Sequence, residues 1–314
     1  MTAESSTHKE DAKMFRTASI MALGLIALAT AAAPGALARE LKVVSEKTVT
    51  GFGHPETVAN DPAGKALYVS DFGPGDLKPA EKDGKGTIKK VSLDGKIEPA
   101  FLPVAGQVLN KPKGIWIAGN RLWVTDIDAV WIFDLKSKKG RKLALPGVGF
   151  ANDPAVMGKA LYISDNRNDK LVKVEPADFL NAKNPSVTEV FAGANVNPNG
   201  VYPSKTGMLL IGGFLAPDKP KALFALGVSG QLRAFTDPIG RIDGLYEMPD
   251  GSLLYTDWNT SSLSHWTEGA PPKVLAAGFK GPADFTVIPG KNEMTVVVPD
   301  LVQSQLRFIH LRKQ

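Results

Sequence analysis

The sequence predicts an all-β fold, a six-bladed β-propeller, over residues 39–314. One short pattern recurs six times, and the ends of its second strand are separated by 39 to 55 residues. Gly and Pro are frequent, at 31 and 23 of 314 residues, which suits many short strands joined by tight turns. A period of roughly 40–45 residues with four short strands in each unit is typical of propeller blades.

Each copy of the pattern contains a Gly- and Pro-rich turn, a short apolar strand, a polar turn and a second apolar strand. The first copy reads GHPETVANDPAGKALYVSD and the fifth reads GRIDGLYEMPDGSLLYTD. The second strands end at Asp71, Asp126, Asp165, Gly213, Asp257 and Asp300. These Asp residues recur too regularly to be catalytic as a set, so we expect them to cap turns within their blades.

Further strands complete the units. Third strands are predicted at 129–134, 170–175 and 263–267, each following a strand-ending Asp. Residues 41–48 precede the first copy and also have strand character, so they could pair with the last blade and close the ring without an exposed edge. Six independent hairpins are the alternative architecture, but isolated hairpins are marginal in water.

The N-terminal segment, residues 1–38, is predicted to be a signal peptide. Three basic residues precede the apolar stretch 20–33, and Ala36 and Ala38 are small residues where a signal peptidase reads the chain. A membrane anchor is the alternative, but the stretch is short for a span, which needs about 20 residues. We therefore expect cleavage after Ala38, a periplasmic or secreted protein, and no stable membrane span after cleavage.

Composition excludes several kinds of site. The chain has no Cys, which excludes thiolate metal sites, a Cys nucleophile and disulfides. Its four His residues argue against a His-rich zinc site. The formal net charge of +5 comes from scattered Lys and Arg without interleaved aromatic residues, so we expect no nucleic-acid binding.

The central channel is where the pattern indicates chemistry, because the first strand of each blade lines it. Aligning the copies on their Pro/Gly turns places one residue of each blade at the same mouth: Glu56, Lys113, Asn152, Asn199, Asp243 and Asp284. Carboxylates gathered this closely repel unless a cation or proton relieves them. Oxygen donors of this kind suit Ca²⁺, with another divalent metal possible. Turn chemistry is the alternative, since Asn and Asp side chains satisfy backbone groups in turns.

Four of these channel segments resemble the metal site of the regucalcin/gluconolactonase (senescence-marker-protein) family. They read HPETVAND, GFANDP, NPNGVY and GRIDGL, and diisopropylfluorophosphatase and the paraoxonases are related propellers. The resemblance implies that a catalytic calcium is held by Glu56, Asn152, Asn199 and Asp243. The flank PETVANDPAGKALYVSD also resembles the strictosidine-synthase branch, which uses no metal.

Two residues depart from the family pattern. Lys113 interrupts the ring of acids and amides, and Phe150 stands where several sugar lactonases have Arg. The second departure argues against sugar-acid lactones as substrates. Lys113 could neutralise Asp284 across the ring or contact an anionic substrate.

The resemblance implies an exported metal-dependent hydrolase of lactones or related esters acting on a small-molecule substrate. The metal would polarise the carbonyl, and Asp243 would be the base or the nucleophile. Two alternatives stay open, because propellers host many functions. One is a non-catalytic propeller that binds a small ligand or a protein, and the other is a metal-free, strictosidine-synthase-like enzyme. The sequence does not indicate an oligomeric state.

Substrate contacts are predicted around the same mouth, and Lys113 and Asp284 of the ring are two of the candidates. His54, two residues before Glu56, is a candidate proton shuttle or a merely solvated loop residue. The stretches 72–87 and 214–222 interrupt the repeat after a second strand and should rim the site. The corresponding short turns offer further candidate contacts: Asn166, Arg167, Trp258 and Asn259.

Overall fold

The computed structural model describes residues 40–61, 63 and 65–314. The signal peptide predicted for residues 1–38 lies outside this part of the chain. The described residues form six four-stranded antiparallel sheets, which confirms the all-β, six-bladed propeller. Among them there is no helix that is long and apolar enough to cross a membrane.

Each sheet is one blade, and its strands follow one another from the channel outwards. Blade 1 contains β2 (Pro55–Asn60), β3 (Ala66–Asp71), β4 (Thr87–Ser92) and β5 (Ile97–Leu102). Blade 2 contains β6 (Pro112–Ala118), β7 (Arg121–Asp126), β8 (Ala129–Asp134) and β9 (Gly140–Ala144). Blade 3 contains β10 (Ala151–Met157), β11 (Ala160–Asp165), β12 (Lys170–Glu175) and β13 (Ser186–Ala192).

The remaining three blades have the same order. Blade 4 contains β14 (Pro198–Pro203), β15 (Leu209–Gly213), β16 (Leu223–Leu226) and β17 (Leu232–Ala234). Blade 5 contains β18 (Ile242–Glu247), β19 (Leu253–Asp257), β20 (Ser262–Trp266) and β21 (Lys273–Ala277). Blade 6 contains β22 (Thr286–Pro289), β23 (Glu293–Asp300), β24 (Gln305–Lys313) and β1 (Leu41–Thr50). The predicted third strands at 129–134 and 170–175 are confirmed, and the third lies one residue earlier than predicted.

The ring is closed by its first strand. β1 pairs antiparallel with β24, from Leu41 opposite Lys313 to Thr50 opposite Gln305. Arg307 on β24 forms an ion pair with Glu46 on β1. The prediction that this segment joins the last blade is therefore confirmed, and blade 6 gains its outermost strand from the opposite end of the described chain.

The core lies between neighbouring blades. Val58, Leu67 and Val69 of blade 1 pack with Val297 and Phe308 of blade 6, and all are buried. Every residue of the run ALYVSD in β3 is buried. A strand covered on both faces reads as a continuous apolar run rather than an alternating one, which is why these segments could be recognised in the sequence.

The strand-ending Asp residues hold the segments that lead into the innermost strands. Asp126 is buried and accepts hydrogen bonds from the backbone N–H groups of Asn110 (3.0 Å) and Lys111 (2.9 Å). Asp71 does the same for Gly53 and His54. Asp165, Asp257 and Asp300 make equivalent bonds. The predicted capping role is confirmed, and each bond ends two or three residues before the residue of its blade that lines the channel.

In blade 4 a different residue holds the segment that leads into the innermost strand. A Cβ atom on Gly213 would come within 2.5 Å of the Lys221 side chain and 2.9 Å of the Val196 carbonyl oxygen, so no Asp fits there. The carboxylate of Asp169, from the connection before β12, instead accepts from the backbone N–H groups of Val196 (3.0 Å) and Asn197 (2.6 Å). The leading segment of β14 is thus capped by the preceding blade.

Candidate active site

A cavity of about 380 Å³ opens at the mouth of the channel where the innermost strands begin. Five of the six residues predicted for the ring line it: Glu56, Lys113, Asn152, Asn199 and Asp243. Each of the five is at most 5% exposed. The structure therefore brings together the four candidate metal ligands and Lys113, as their common register predicts.

The four candidate ligands are only partly satisfied by hydrogen bonds. Asn152 donates through Nδ2 to Asn199 Oδ1. Trp258 donates through Nε1 to Asp243 Oδ2 at 2.8 Å, and Thr57 donates to Glu56 Oε2 at 2.8 Å. Within the described structure, Asn152 Oδ1 and Asp243 Oδ1 are buried without a partner. An unpartnered buried acceptor costs about 1–3 kcal/mol, so these two oxygens are the atoms that a ligand would satisfy.

Burial also changes the charge of the two acids. It raises the pKa of Glu56 well above its usual value, and repulsion from Asp243 adds to the rise. Burial raises the pKa of Asp243 to about 7, against the opposing effects of the Trp258 hydrogen bond and the Arg241 charge. A positive charge bound beside the pair would therefore favour the ionised form of both acids.

The donor set fits a hard divalent cation. Two carboxylates balance a double charge, and the carboxamide oxygens of Asn152 and Asn199 add neutral ligands of the kind that calcium accepts. No group of three or more His, Cys, Asp or Glu residues in the described ranges has an arrangement that could hold a metal. A cation at this mouth would thus depend on the two Asn side chains and on water.

Asp284 does not belong to this ring, and its placement is a correction to the sequence alignment. The residue before each channel position pairs with the strand-ending residue of its blade, as Pro55 does with Asp71. In blade 6 that pair is Pro282 with Asp300, so the channel position is Ala283. A slip of one residue turns a side chain to the other side of a strand, and Asp284 accordingly lines a different cavity.

The second cavity, of about 180 Å³, lies at the other ends of the innermost strands. Asp284, Trp116, Tyr202 and Tyr246 are among the residues that line it. The backbone N–H of Asp284 donates to the carbonyl oxygen of Glu56 at 3.1 Å, and this hydrogen bond links blade 6 to blade 1. The predicted position of Asp284 in the ring beside Glu56 is therefore wrong, and Asp284 does not line the first cavity.

Lys113 is held by aromatic rings rather than by an acid. Its Nζ lies 4.2 Å from the ring centroid of Phe150 and 5.7 Å from that of Phe72. It has no ion pair within 4.0 Å among the described residues, so of its two predicted roles the neutralisation of Asp284 is not observed. Burial lowers the pKa of Lys113 to about 8, although the charge of Glu56 opposes this.

His54 lies beside the cavity but does not line it. Its Nδ1 is 3.0 Å from the carbonyl oxygen of Leu301, and its Nε2 is 2.9 Å from that of Gly75. The ring therefore ties the loop after β3 to the turn after β23. Both ring nitrogens thus contact backbone carbonyl oxygens, and the proton-shuttle role of His54 stays a prediction.

The predicted rim is largely confirmed. Both long loops contribute to the cavity wall, through Phe72 and Leu77 from one and Phe214 and Leu215 from the other. The predicted turn residues Asn166, Arg167 and Trp258 also line the cavity, whereas Asn259 does not.

Arg241 is a residue of the cavity that sequence reasoning missed. Its guanidinium carbon lies 4.5 Å from the ring centroid of Phe214 and 5.7 Å from that of Trp258. It stands two residues before Asp243, the same spacing that separates His54 from Glu56 and Phe150 from Asn152. That shared register was the signal that could have found it.

Comparisons with known proteins support the fold. No family model and no curated protein sequence matches the chain. Virginiamycin B lyase from Staphylococcus aureus is 14% identical with a TM-score of 0.60, over 88% of this chain and 100% of that one. A candidate gluconolactonase is 15% identical with a TM-score of 0.59, over 90% and 97%. A chain of the nidogen/laminin complex is 18% identical with a TM-score of 0.54, over 69% and 87%. At these identities the likeness is one of fold.

Proposed function

We propose that the protein is a metal-dependent hydrolase of lactones or related esters, with a divalent cation, Ca²⁺ first, at the channel mouth. Glu56, Asn152, Asn199 and Asp243 would hold the cation. The observation that carries the proposal is the buried set of two carboxylates and two carboxamides, in which Asn152 Oδ1 and Asp243 Oδ1 have no hydrogen-bond partner in the described structure. Coordination to a cation would stabilise buried oxygens of this kind.

The bound cation would supply Lewis-acid polarisation of the substrate carbonyl and would stabilise the developing oxyanion. Asp243 is the residue best placed to take a proton from water. Trp258 donates to its Oδ2, and Oδ1 is left to accept. The aromatic wall formed by Phe150, Phe214 and Trp258 would cover the apolar part of the substrate and exclude water around it.

The proposal includes the cellular location and the class of ligand. The predicted signal peptide makes the working protein residues 39–314, periplasmic or secreted. A cavity of about 380 Å³ is of the size that takes small molecules. The candidate gluconolactonase and the virginiamycin B lyase among the fold neighbours are named as enzymes, which supports an enzymatic use of the scaffold and leaves the reaction open.

The test uses protein freed of metal with a chelator and then dialysed. Calorimetric titration with CaCl₂ should show one site, and hydrolysis of a panel of aryl esters and lactones should return with calcium. Asp243→Asn with its site filled should remain roughly 10²–10⁴-fold less active, the usual contribution of a general base. Glu56→Gln should bind calcium more weakly but regain activity at high calcium, and Asp237→Asn, on the exposed surface, should behave as wild type.

Activity that is indifferent to chelator and calcium would refute the metal-dependent hydrolase. It would favour a metal-free enzyme, the second candidate. The charge of Lys113 already opposes the rise in the pKa of Glu56 that burial causes, as a resident cation would. In that enzyme Lys113→Met should abolish turnover. If wild type turns over no member of the panel yet binds calcium, a ligand-binding propeller is the remaining interpretation.

A further inference from the structure

Three cationic side chains line the first cavity: Lys113, Arg167 and Arg241. None of them forms an ion pair within 4.0 Å in the described part of the chain. Nε of Arg241 is also buried without a hydrogen-bond partner there. A buried donor that belongs to a charged group and lacks an acceptor is destabilising. A negatively charged ligand in the cavity could supply the acceptor that Arg241 lacks.

Four arginines away from the cavity have oxygen acceptors. Arg121 binds Asp134 and Asp178, Arg307 binds Glu46, and Arg312 binds Glu293. Arg141 donates to two backbone carbonyl oxygens. Each of these four arginines has an oxygen acceptor, whereas the two that line the cavity have none among the described residues; exposed Arg233 also lacks one and contacts only Met208 Sδ.

Aromatic rings hold both cavity arginines in place. The guanidinium carbon of Arg167 lies 3.8 Å from the ring centroid of Phe150, and that of Arg241 lies 4.5 Å from that of Phe214. Stacking fixes the plane of a guanidinium group while its N–H groups stay free to bind. Such a group is well suited to bidentate hydrogen bonding with a carboxylate or phosphate.

The charge balance of the cavity leads to the same conclusion. Glu56 and Asp243 are the two acids that line it, and both are committed to the proposed cation. Asp257 acts on Arg241 and Asp126 and Asp165 act on Lys113 only from beyond ion-pair distance, so no other acid among the described residues pairs directly with the three cationic side chains. A ligand with one or two negative charges would supply a direct partner, and the aromatic wall would take an apolar body attached to that group.

We infer that the substrate carries an acidic group, a carboxylate or a phosphate, on an apolar body, and that Arg167 and Arg241 bind this group. The inference deepens the proposed function, since it names the substrate class of the same site. Its test measures binding and needs no turnover, so the inference about the acidic group and the proposed hydrolase function can fail independently.

The test is a titration of chelator-treated protein and of calcium-loaded protein with three probes of similar shape. Phenylacetate and phenyl phosphate carry the acidic group, and phenylacetamide is the neutral match. At low salt, at least one acid should bind tenfold or more tightly than the amide. Arg167→Gln and Arg241→Gln should each weaken that acid about tenfold or more and leave the amide unchanged. Whichever acid binds more tightly identifies the group.

Arg307→Gln is the matched control, because Arg307 is stacked on Phe279 at 3.9 Å but already has Glu46 as its partner. It should leave all three affinities as in wild type. If Arg241→Gln does not fold, Arg241→Lys and the exposed Arg167 still provide the comparison. Equal binding of acids and amide, or acid binding that survives both substitutions, would overturn the inference. Binding of the acidic probes without hydrolysis of any ester would support this inference and would refute only the proposed hydrolase function.

Discussion

Replacing Asp243 by Asn should change how the stability of the metal-free protein depends on pH. The pKa of Asp243 rises from 3.8 to about 7 on folding because its carboxyl group is buried. Between these two values the folded state therefore holds a proton that the unfolded chain has released. The folded state binds more protons, so the free energy of unfolding falls as pH rises through this range.

The size of the effect follows from the same values. One pKa unit corresponds to about 1.4 kcal/mol, so ionised Asp243 should cost the folded protein about 4 kcal/mol by pH 7 to 8. The Asn side chain carries no charge at any pH, so the variant should not lose this free energy of unfolding. The substitution also removes the repulsion from Asp243 that partly raises the pKa of Glu56. We therefore expect the variant to be more stable than wild type at pH 8 and similar to it near pH 4.

Urea unfolding of chelator-treated protein from pH 4.5 to pH 8.5 measures this directly. Asp237→Asn, on the exposed surface, is the control and should follow wild type. Saturating calcium should stabilise wild type more at pH 8 than at pH 5, because the cation must displace protons at the lower pH. A parallel pH dependence of wild type and Asp243→Asn would show that Asp243 is not a buried, proton-holding acid.

Three further predictions concern the scaffold. Gly200→Ala should prevent correct folding, seen as lost near-ultraviolet circular dichroism, because its Cβ would lie 1.9 Å from the carbonyl oxygen of Asp243. Asp165→Asn should lower the free energy of unfolding in urea by about 1–3 kcal/mol, the usual cost of weakening a buried hydrogen-bonded group, since Asp165 caps the segment before Asn152. Deleting residues 41–50 should yield aggregated protein by size-exclusion chromatography, because β24 would become an exposed edge; a monomeric, cooperatively folding deletion would contradict the closure of the ring.

Much of the fold could be predicted because each blade repeats one local pattern. The strand-ending Asp residues mark the second strand, and through their hydrogen bonds they also set the distance to the channel residue. Five of six channel positions followed from that spacing. The sixth failed because Pro282, and not Ala283, is the counterpart of Pro55, so the sequence alignment placed the channel position of blade 6 one residue too far along the chain.

The rest of the site depends on contacts between blades, which leave little local trace. Phe214 comes from a long loop of blade 4, yet it positions Arg241 at the start of blade 5. Phe150 supports Lys113 from the neighbouring blade. Such pairings join residues far apart in the chain, and one sequence without an alignment does not reveal them. The loops could be assigned to the rim from strand direction alone, but their partners could not.

The corrected ring has a consequence for the chemistry at the mouth. Its order by blade is Glu56, Lys113, Asn152, Asn199, Asp243 and Ala283, so Glu56 stands between a cation and a small apolar residue. The three consecutive oxygen donors lie in blades 3 to 5, and the aromatic-supported arginines belong to blades 3 and 5 as well. Because Ala283 packs with Phe72 and Leu301, the blade 6 side of the mouth is apolar. The site is therefore polarised across the channel, and the side formed by blades 3 to 5, where the two arginines lie, would bind the charged group of an acidic ligand.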